Sequence, residues 1–122
     1  MDKEPIIIVG GEPNSIFSEI FFKSLKTKNY KSPIIVIISK KLLQEQMKKL
    51  GFTFKINTIK KTLNNFSKLN NNKINLINVD YKFKKCFEII TSKSNQYIDK
   101  TFKTALNFIK QNNLSKFING PV

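Results

Sequence analysis

The residues with the strongest claim to chemistry lie in Gly10-Gly11-Glu12-Pro13-Asn14-Ser15, a loop set between a short apolar run and an amphipathic one. In that position backbone N–H groups and a helix N-terminus can face a ligand, and Glu12 and Asn14 are the side chains able to reach it. Gly11, Glu12 and Asn14 are therefore the candidate site residues. The loop spells neither a Walker phosphate-binding motif, since no Gly-Lys-Ser/Thr follows, nor a dinucleotide fingerprint, since the G-x-G-x-x-G spacing is missing. The plainer reading is a tight strand-to-helix turn that uses glycine for positive φ and leaves Glu12 as a solvated carboxylate.

Little else in the chain is equipped for catalysis. Histidine is absent, which excludes Ser-His and Cys-His nucleophile pairs and every His-containing metal site. The eight acidic residues, Asp2, Glu4, Glu12, Glu19, Glu45, Asp80, Glu88 and Asp99, show no spacing that suggests a metal cage or a general acid/base pair. They read mostly as surface charges. Cys86 is the only cysteine, so no intrachain disulfide forms, and a reducing cytoplasmic compartment is the expectation. Catalytic, cofactor-binding and metal-binding residues are thus expected to be missing. Tyr81, Phe83 and Phe87 interleave with Lys82, Lys84 and Lys85, which could stack single-stranded nucleic acid. Alternation of this kind also describes an edge strand whose lysines discourage further pairing, and that simpler account is preferred.

The charge balance has to be weighed in the same way. A net charge of +14 suggests an anionic partner. All 22 basic residues are Lys, however, and base reading and bidentate phosphate grips favour the guanidinium fork of Arg. The lysines are also spread along the whole chain, so a solvated basic surface explains them and nucleic acid stays the lesser alternative. With 122 residues, 40% of them apolar, the chain is the size of one folded domain. Its longest apolar runs, Ile6 to Val9 and Ile34 to Ile38, are too short to cross a bilayer, and no membrane partner is expected.

Elements to position the loop can be read from periodicity. Pro5 to Val9 is a β-branched run of the kind buried on both faces, and Ile34 to Ile38 is a second. Between them Ile16, Phe17, Ile20, Phe21 and Leu25 recur at helical spacing, with Asn14 or Ser15 available as a cap. From Ser39 a further helix places Leu43, Met47 and Leu50 on one face and stops at Gly51. Alternation over Phe52, Phe54 and Ile56 predicts a third strand, and Ile74, Leu76, Ile77 and Val79 a fourth after a polar, Asn-rich loop from Lys60 to Asn72. Ile98, Phe102, Ala105, Leu106 and Ile109 define a long helix from about Asn95 to Gln111, and Phe117-Ile118 begins another strand. The fold class is α/β: an open, largely parallel sheet with flanking helices, which binds ligands at the carboxyl ends of its strands.

Two short motifs carry a resemblance. Ile6 to Val9 running into Gly10-Gly11-Glu12-Pro13-Asn14-Ser15-Ile16-Phe17, and the helix from Tyr97 to Gln111 followed by Phe117-Ile118-Asn119-Gly120-Pro121-Val122, resemble the NAD-dependent 4-hydroxythreonine-4-phosphate dehydrogenases of vitamin B6 biosynthesis. Gly11, Glu12, Pro13 and Ile16 match that family's first turn. Gly10 stands where the family has proline, and Ser15 and Phe17 where it prefers glycine. The resemblance implies the first subdomain of an isocitrate/isopropylmalate dehydrogenase-like fold, with residues 1–122 as the N-terminal part of that domain, truncated after the Gly-Pro-Val turn. It implies for the full-length enzyme NAD, a divalent metal, a small phosphorylated substrate that is oxidised and decarboxylated, and a homodimer. Gly11, Glu12 and Asn14 then line the substrate cleft, while the catalytic histidines and the substrate-holding residues lie beyond the Gly-Pro-Val turn. This chain alone is expected to bind neither cofactor and to be inactive. The alternatives are a stand-alone α/β binding module and, behind it, a basic nucleic-acid-binding protein.

Overall fold

A computed structural model describes residues 4–87 and 94–120. Five strands, β1 (Ile6–Val9), β2 (Ile34–Ile38), β3 (Ile56–Thr58), β4 (Ile74–Asn78) and β5 (Phe117–Asn119), and three helices, α1 (Phe17–Thr27), α2 (Lys40–Leu50) and α3 (Asn95–Asn112), follow one another as β1-α1-β2-α2-β3-β4-α3-β5. The strands form one sheet in the order β3-β4-β2-β1-β5, and every pairing is parallel. The expected α/β architecture is what the chain adopts.

The two-residue period of a strand divides the sheet into two cores. Ile8, Val36, Ile38, Ile74 and Leu76 face α1 and α2, where they meet Phe21, Phe22, Leu43 and Met47. Ile7, Val9, Ile35, Ile37 and Ile77 face α3 and meet Ile98, Ala105 and Phe108. All five residues of β2 are buried, so each of its aliphatic side chains contributes about 1.5–3 kcal/mol by leaving water. This is why β2, at the middle of the sheet, reads as an unbroken apolar run.

The helix ends follow local chemistry. Ser39 caps α2 by accepting the Leu42 N–H on its Oγ at 3.2 Å. Gly51, at φ 79°, closes the other end: its N–H and that of Phe52 return to the carbonyls of Lys48 and Met47. Asn113, at φ 53°, does the same for α3. The N-cap of α1 is Ile16, with no side-chain cap bond, so the expected Asn14 or Ser15 cap is not formed; Ser15 Oγ, one residue earlier, accepts the Phe17 N–H at 3.3 Å.

Three further expectations are corrected. The third strand is confined to Ile56–Thr58, because β4 begins at Ile74 and offers no ladder partner farther back; Phe52 and Phe54 instead stack with each other and with Phe22. Residues 81–87 form no edge strand. Tyr81 lies 4.6 Å from the Tyr97 ring and stacks on Phe83, so aromatic packing against α3 replaces ladder pairing. Leu106, counted on the apolar face of α3, is exposed. It falls at the margin of a stripe whose centre is Ala105 and Phe108.

The Asn-rich segment is structural. Asn71 accepts the Ile34 N–H at 2.9 Å and donates to the Ser32 carbonyl at 2.8 Å, and buried Asn75 donates to the carbonyls of Ile34 and Asn70 at 3.1 and 2.9 Å. These amides clamp the amino end of the sheet. Near β5 the Glu4 carboxylate accepts from the backbone and hydroxyl of Ser115, and these bonds hold its carboxyl below the usual range.

Candidate functional site

The carboxyl ends of the strands bring together Val9-Gly10, Ile38-Ser39, Asn78-Val79 and Asn119-Gly120. Chain direction reverses here. From β1 the chain crosses by α1 toward β2 on one face, whereas β5 is reached by α3 on the opposite face and lies on the other side of β1. Helices leaving to opposite faces open a crevice at this edge, and open α/β sheets take their ligands at such a point.

Glycine builds the floor of the crevice. The Gly120 N–H donates to the Val9 carbonyl at 2.7 Å, and a Cβ on Gly120 would lie 2.4 Å from the Gly10 carbonyl oxygen. No side chain fits between these backbones. A Cβ on Gly10 would in turn meet Ile38 Cδ1 at 2.7 Å. Gly11 turns the chain at φ 73°, the left-handed region that favours glycine.

Glu12 is buried, so the solvated carboxylate of the plainer sequence reading is not found. One carboxylate oxygen accepts the Asn14 N–H at 3.2 Å, and the other accepts the Ser94 hydroxyl at 2.8 Å. Ser94 immediately precedes α3, whose first turn contains no acidic residue. The Glu12 carboxylate therefore sits at the positive end of an 18-residue helix while anchored in the loop that starts α1. It braces two helices lying on opposite faces of the sheet. The Asn14 N–H, a loop donor that could have faced a ligand, bonds this side chain.

The rest of the loop is held from behind. Gln46 of α2 donates to the Pro13 carbonyl at 2.8 Å, and the Ser15 N–H bonds the Glu12 carbonyl at 3.1 Å. Buried Ser18 Oγ and Gln46 Oε1 have no hydrogen-bond partner among the described residues. Across the crevice the Ser39 N–H donates to the Tyr97 hydroxyl at 2.8 Å, and Asn78 Oδ1 accepts the Lys40 N–H at 2.8 Å. Burial pushes the Tyr97 phenol well above its ordinary value, against the opposing effect of the Ser39 bond. Tyr97 is thus a neutral hydroxyl at the base of α3.

Of the candidate residues, Gly11, Glu12 and Asn14 do lie together at the carboxyl edge, and the loop joins Ser94, Ser39, Tyr97 and Gln46 there. Those four were not singled out from sequence. Ser94 had a signal, a hydroxyl just ahead of a periodic run, but its contact with Glu12 spans 82 positions. Among the described residues no group of three or more His, Cys, Asp or Glu could hold a metal ion, and no helix is long and apolar enough to cross a membrane. Chemically the edge is a braced, glycine-floored wall, and its hydroxyl–carboxylate contact, Ser94 with Glu12, is buried.

No protein-family model matches the sequence, and no curated protein matches it. Solved structures do. The chain is similar over 98% of its length, with a TM-score of 0.80 and 15% identity, to a Salmonella typhimurium protein assigned as a 4-hydroxythreonine-4-phosphate dehydrogenase. It is similar over 97% of its length to the 4-hydroxythreonine-4-phosphate dehydrogenases of Klebsiella pneumoniae (TM-score 0.77, 15% identity) and Burkholderia phymatum (0.73, 16%). The chain spans 38% of the first of these proteins and 36% of the other two. Identity this low speaks to backbone architecture, and the conclusion is one of fold: these 122 residues are built like a portion of a 4-hydroxythreonine-4-phosphate dehydrogenase.

Proposed function

We propose that the chain is the N-terminal portion of an NAD-dependent 4-hydroxythreonine-4-phosphate dehydrogenase and supplies one wall of its substrate cleft. The observation that carries this reading is the match of 98% of the chain to 38% of such a protein at a TM-score of 0.80. The Gly-Gly-Glu-Pro turn and Gly120 add to it, since they follow the adjacent strands β1 and β5 at the same carboxyl edge. In the longer protein the reaction would be oxidation of a phosphorylated hydroxy-amino acid followed by decarboxylation, in a cytoplasmic homodimer that uses NAD and a divalent metal.

The division of labour within such an enzyme follows from the residues present. The described residues bring together no metal-ligand cluster, and in the Gly10–Ser15 loop the Asn14 N–H already bonds the Glu12 carboxylate. By the resemblance, metal and cofactor would be held by residues outside this chain. Gly11, Glu12 and Asn14 would shape the cleft, with Glu12 as the positioning residue through its grip on Ser94 and the loop backbone.

The test begins with the mass of the protein in its source cells. A value well over twice 14.2 kDa, together with metal-dependent NADH formation from 4-phosphooxy-threonine by that longer protein, is the expected result. A mass near 14.2 kDa would refute the reading. It would favour a stand-alone binding module instead.

A further inference from the structure

The sheet ends at β3, and among the described residues no strand pairs with its outer side. Its neighbours Lys55 and Ile59 turn their backbone groups inward: the Lys55 carbonyl accepts the Ile74 N–H and the Ile59 N–H donates to the Leu76 carbonyl, each at 2.8 Å. Backbone groups of successive strand residues point to opposite sides, so the N–H and C=O of Ile56 and Thr58 face outward. A groove meets this edge on each face of the sheet. On the α2 side a groove of about 610 Å³ combines apolar Met47, Phe52, Phe54 and Ile56 with Lys40, Lys48 and Lys55. On the α3 side a second, of about 430 Å³, is lined by Thr58, Thr62 and Asn64, by Leu63 and Leu69, and by Lys60. These four lysines make no ion pair among the described residues, and no Asp or Glu lines either groove.

We propose that β3 is a docking edge for an extended, acidic segment of a partner protein, which adds a strand beside Ile56–Thr58. The outward backbone groups supply the hydrogen bonds, and the two grooves supply selectivity, because alternate side chains of an added strand point to opposite faces. An apolar side chain enters the groove beside Phe52 and Phe54, the next residue enters the groove beside Thr58 and Asn64, and flanking carboxylates meet the lysines. Charge selects the occupant. Lysine on a short edge strand guards against pairing between like chains, and a second copy of this chain, at a net charge of +14, would bring Lys55 and Lys60 against themselves. The same charge draws an acidic strand. A helix or a small anion in the α2-side groove would leave the outward amides of Ile56 and Thr58 unused. Dehydrogenase chemistry is not required for this docking, since β4 and β2 separate β3 from the strand that carries the Gly10–Ser15 loop.

The test takes the protein of endogenous length and a synthetic set of octapeptides in which Val, Ile or Phe alternates with Asp, Glu, Asn or Thr. A matching set carries Lys in place of the acids. Fluorescence anisotropy is expected to find acidic members that bind and that weaken with salt, and the double substitution Lys48→Glu, Lys55→Glu should weaken them at least about tenfold. Methylating alternate peptide amides of a binder should abolish binding in one frame and spare it in the other. The unsubstituted protein gives a reading that does not depend on how the variant folds. When it is saturated with a binder, amide exchange at Ile56 and Thr58 should slow at least about tenfold, while Asn57, directed at β4 by the same alternation, changes little. No binding by any acidic member overturns the proposal. So does equal binding by the Lys set. Binding that leaves the Ile56 and Thr58 amides exchanging freely also overturns it, because the lysines then hold an anion without an added strand.

Discussion

Replacing Gly120 with alanine should be among the most damaging single-methyl changes in this chain. The added Cβ would lie 2.4 Å from the Gly10 carbonyl oxygen and 2.9 Å from its carbonyl carbon, where ordinary contact begins at 3.4 Å. Both atoms belong to backbone, so no rotamer change relieves the overlap, and β5 has to move from β1 by about an ångström. That movement breaks or stretches the 2.7 Å bond from the Gly120 N–H to the Val9 carbonyl. Overpacking costs about 1–3 kcal/mol and a lost hydrogen bond about 1 kcal/mol, which gives roughly 2–4 kcal/mol in all. Urea unfolding of the 122-residue chain reads this as a fall in midpoint of roughly 1–3 M at the m-values usual for small domains. Amide exchange should show weakened protection across Phe117–Asn119. Gly51→Ala is the control. Its Cβ would meet nothing within 4 Å, but its φ of +79° strains any side chain, and the expected loss is about 1 kcal/mol. A Gly120→Ala protein as stable as Gly51→Ala would refute the close-approach argument.

Other expectations concern the braces around the crevice. A double-mutant cycle of Glu12→Ala and Ser94→Ala should give a coupling of about 1–3 kcal/mol in chemical unfolding, and additive effects would mean that the buried contact carries no energy. Tyr97 contributes a pH signature because burial raises its folded pKa above the ordinary 10.0. Its stabilisation is complete below pH 10.0 and is lost as pH rises above it, by up to about 1.4 kcal/mol per pH unit. A Tyr97→Phe variant should lack that alkaline loss and, with the Ser39 N–H left unpaired, be less stable at neutral pH by about 1–3 kcal/mol; parallel stability curves from pH 9 to 11 would contradict this. Ser39→Ala removes the cap of α2 and should cost about 1 kcal/mol by thermal or urea unfolding.

What could be learned from the sequence was whatever repeats locally. The β-branched runs at Ile6 and Ile34, the helical spacing of Ile16 to Leu25 and of Ile98 to Ile109, and the stop at Gly51 are short-range signals, and each marked a real element. The lack of histidine and the two motifs around Glu12 and Gly120 were equally plain in one dimension. Periodicity failed where an element depends on a partner. Phe52 and Phe54 alternate as a strand does, yet β4 has no residue to pair with them, and Tyr81 finds the Tyr97 ring in place of a ladder. Only the assembled sheet decided the fate of Glu12, because burying a carboxylate requires partners, and Ser94 reaches it from 82 positions away on the other face. The contact of Gly120 with Gly10 and the place of β3 at the edge were decided there too. Which backbones approach and which strand stays at the edge are properties of strand order and crossover handedness, fixed when distant segments pack, and no local window of sequence contains them.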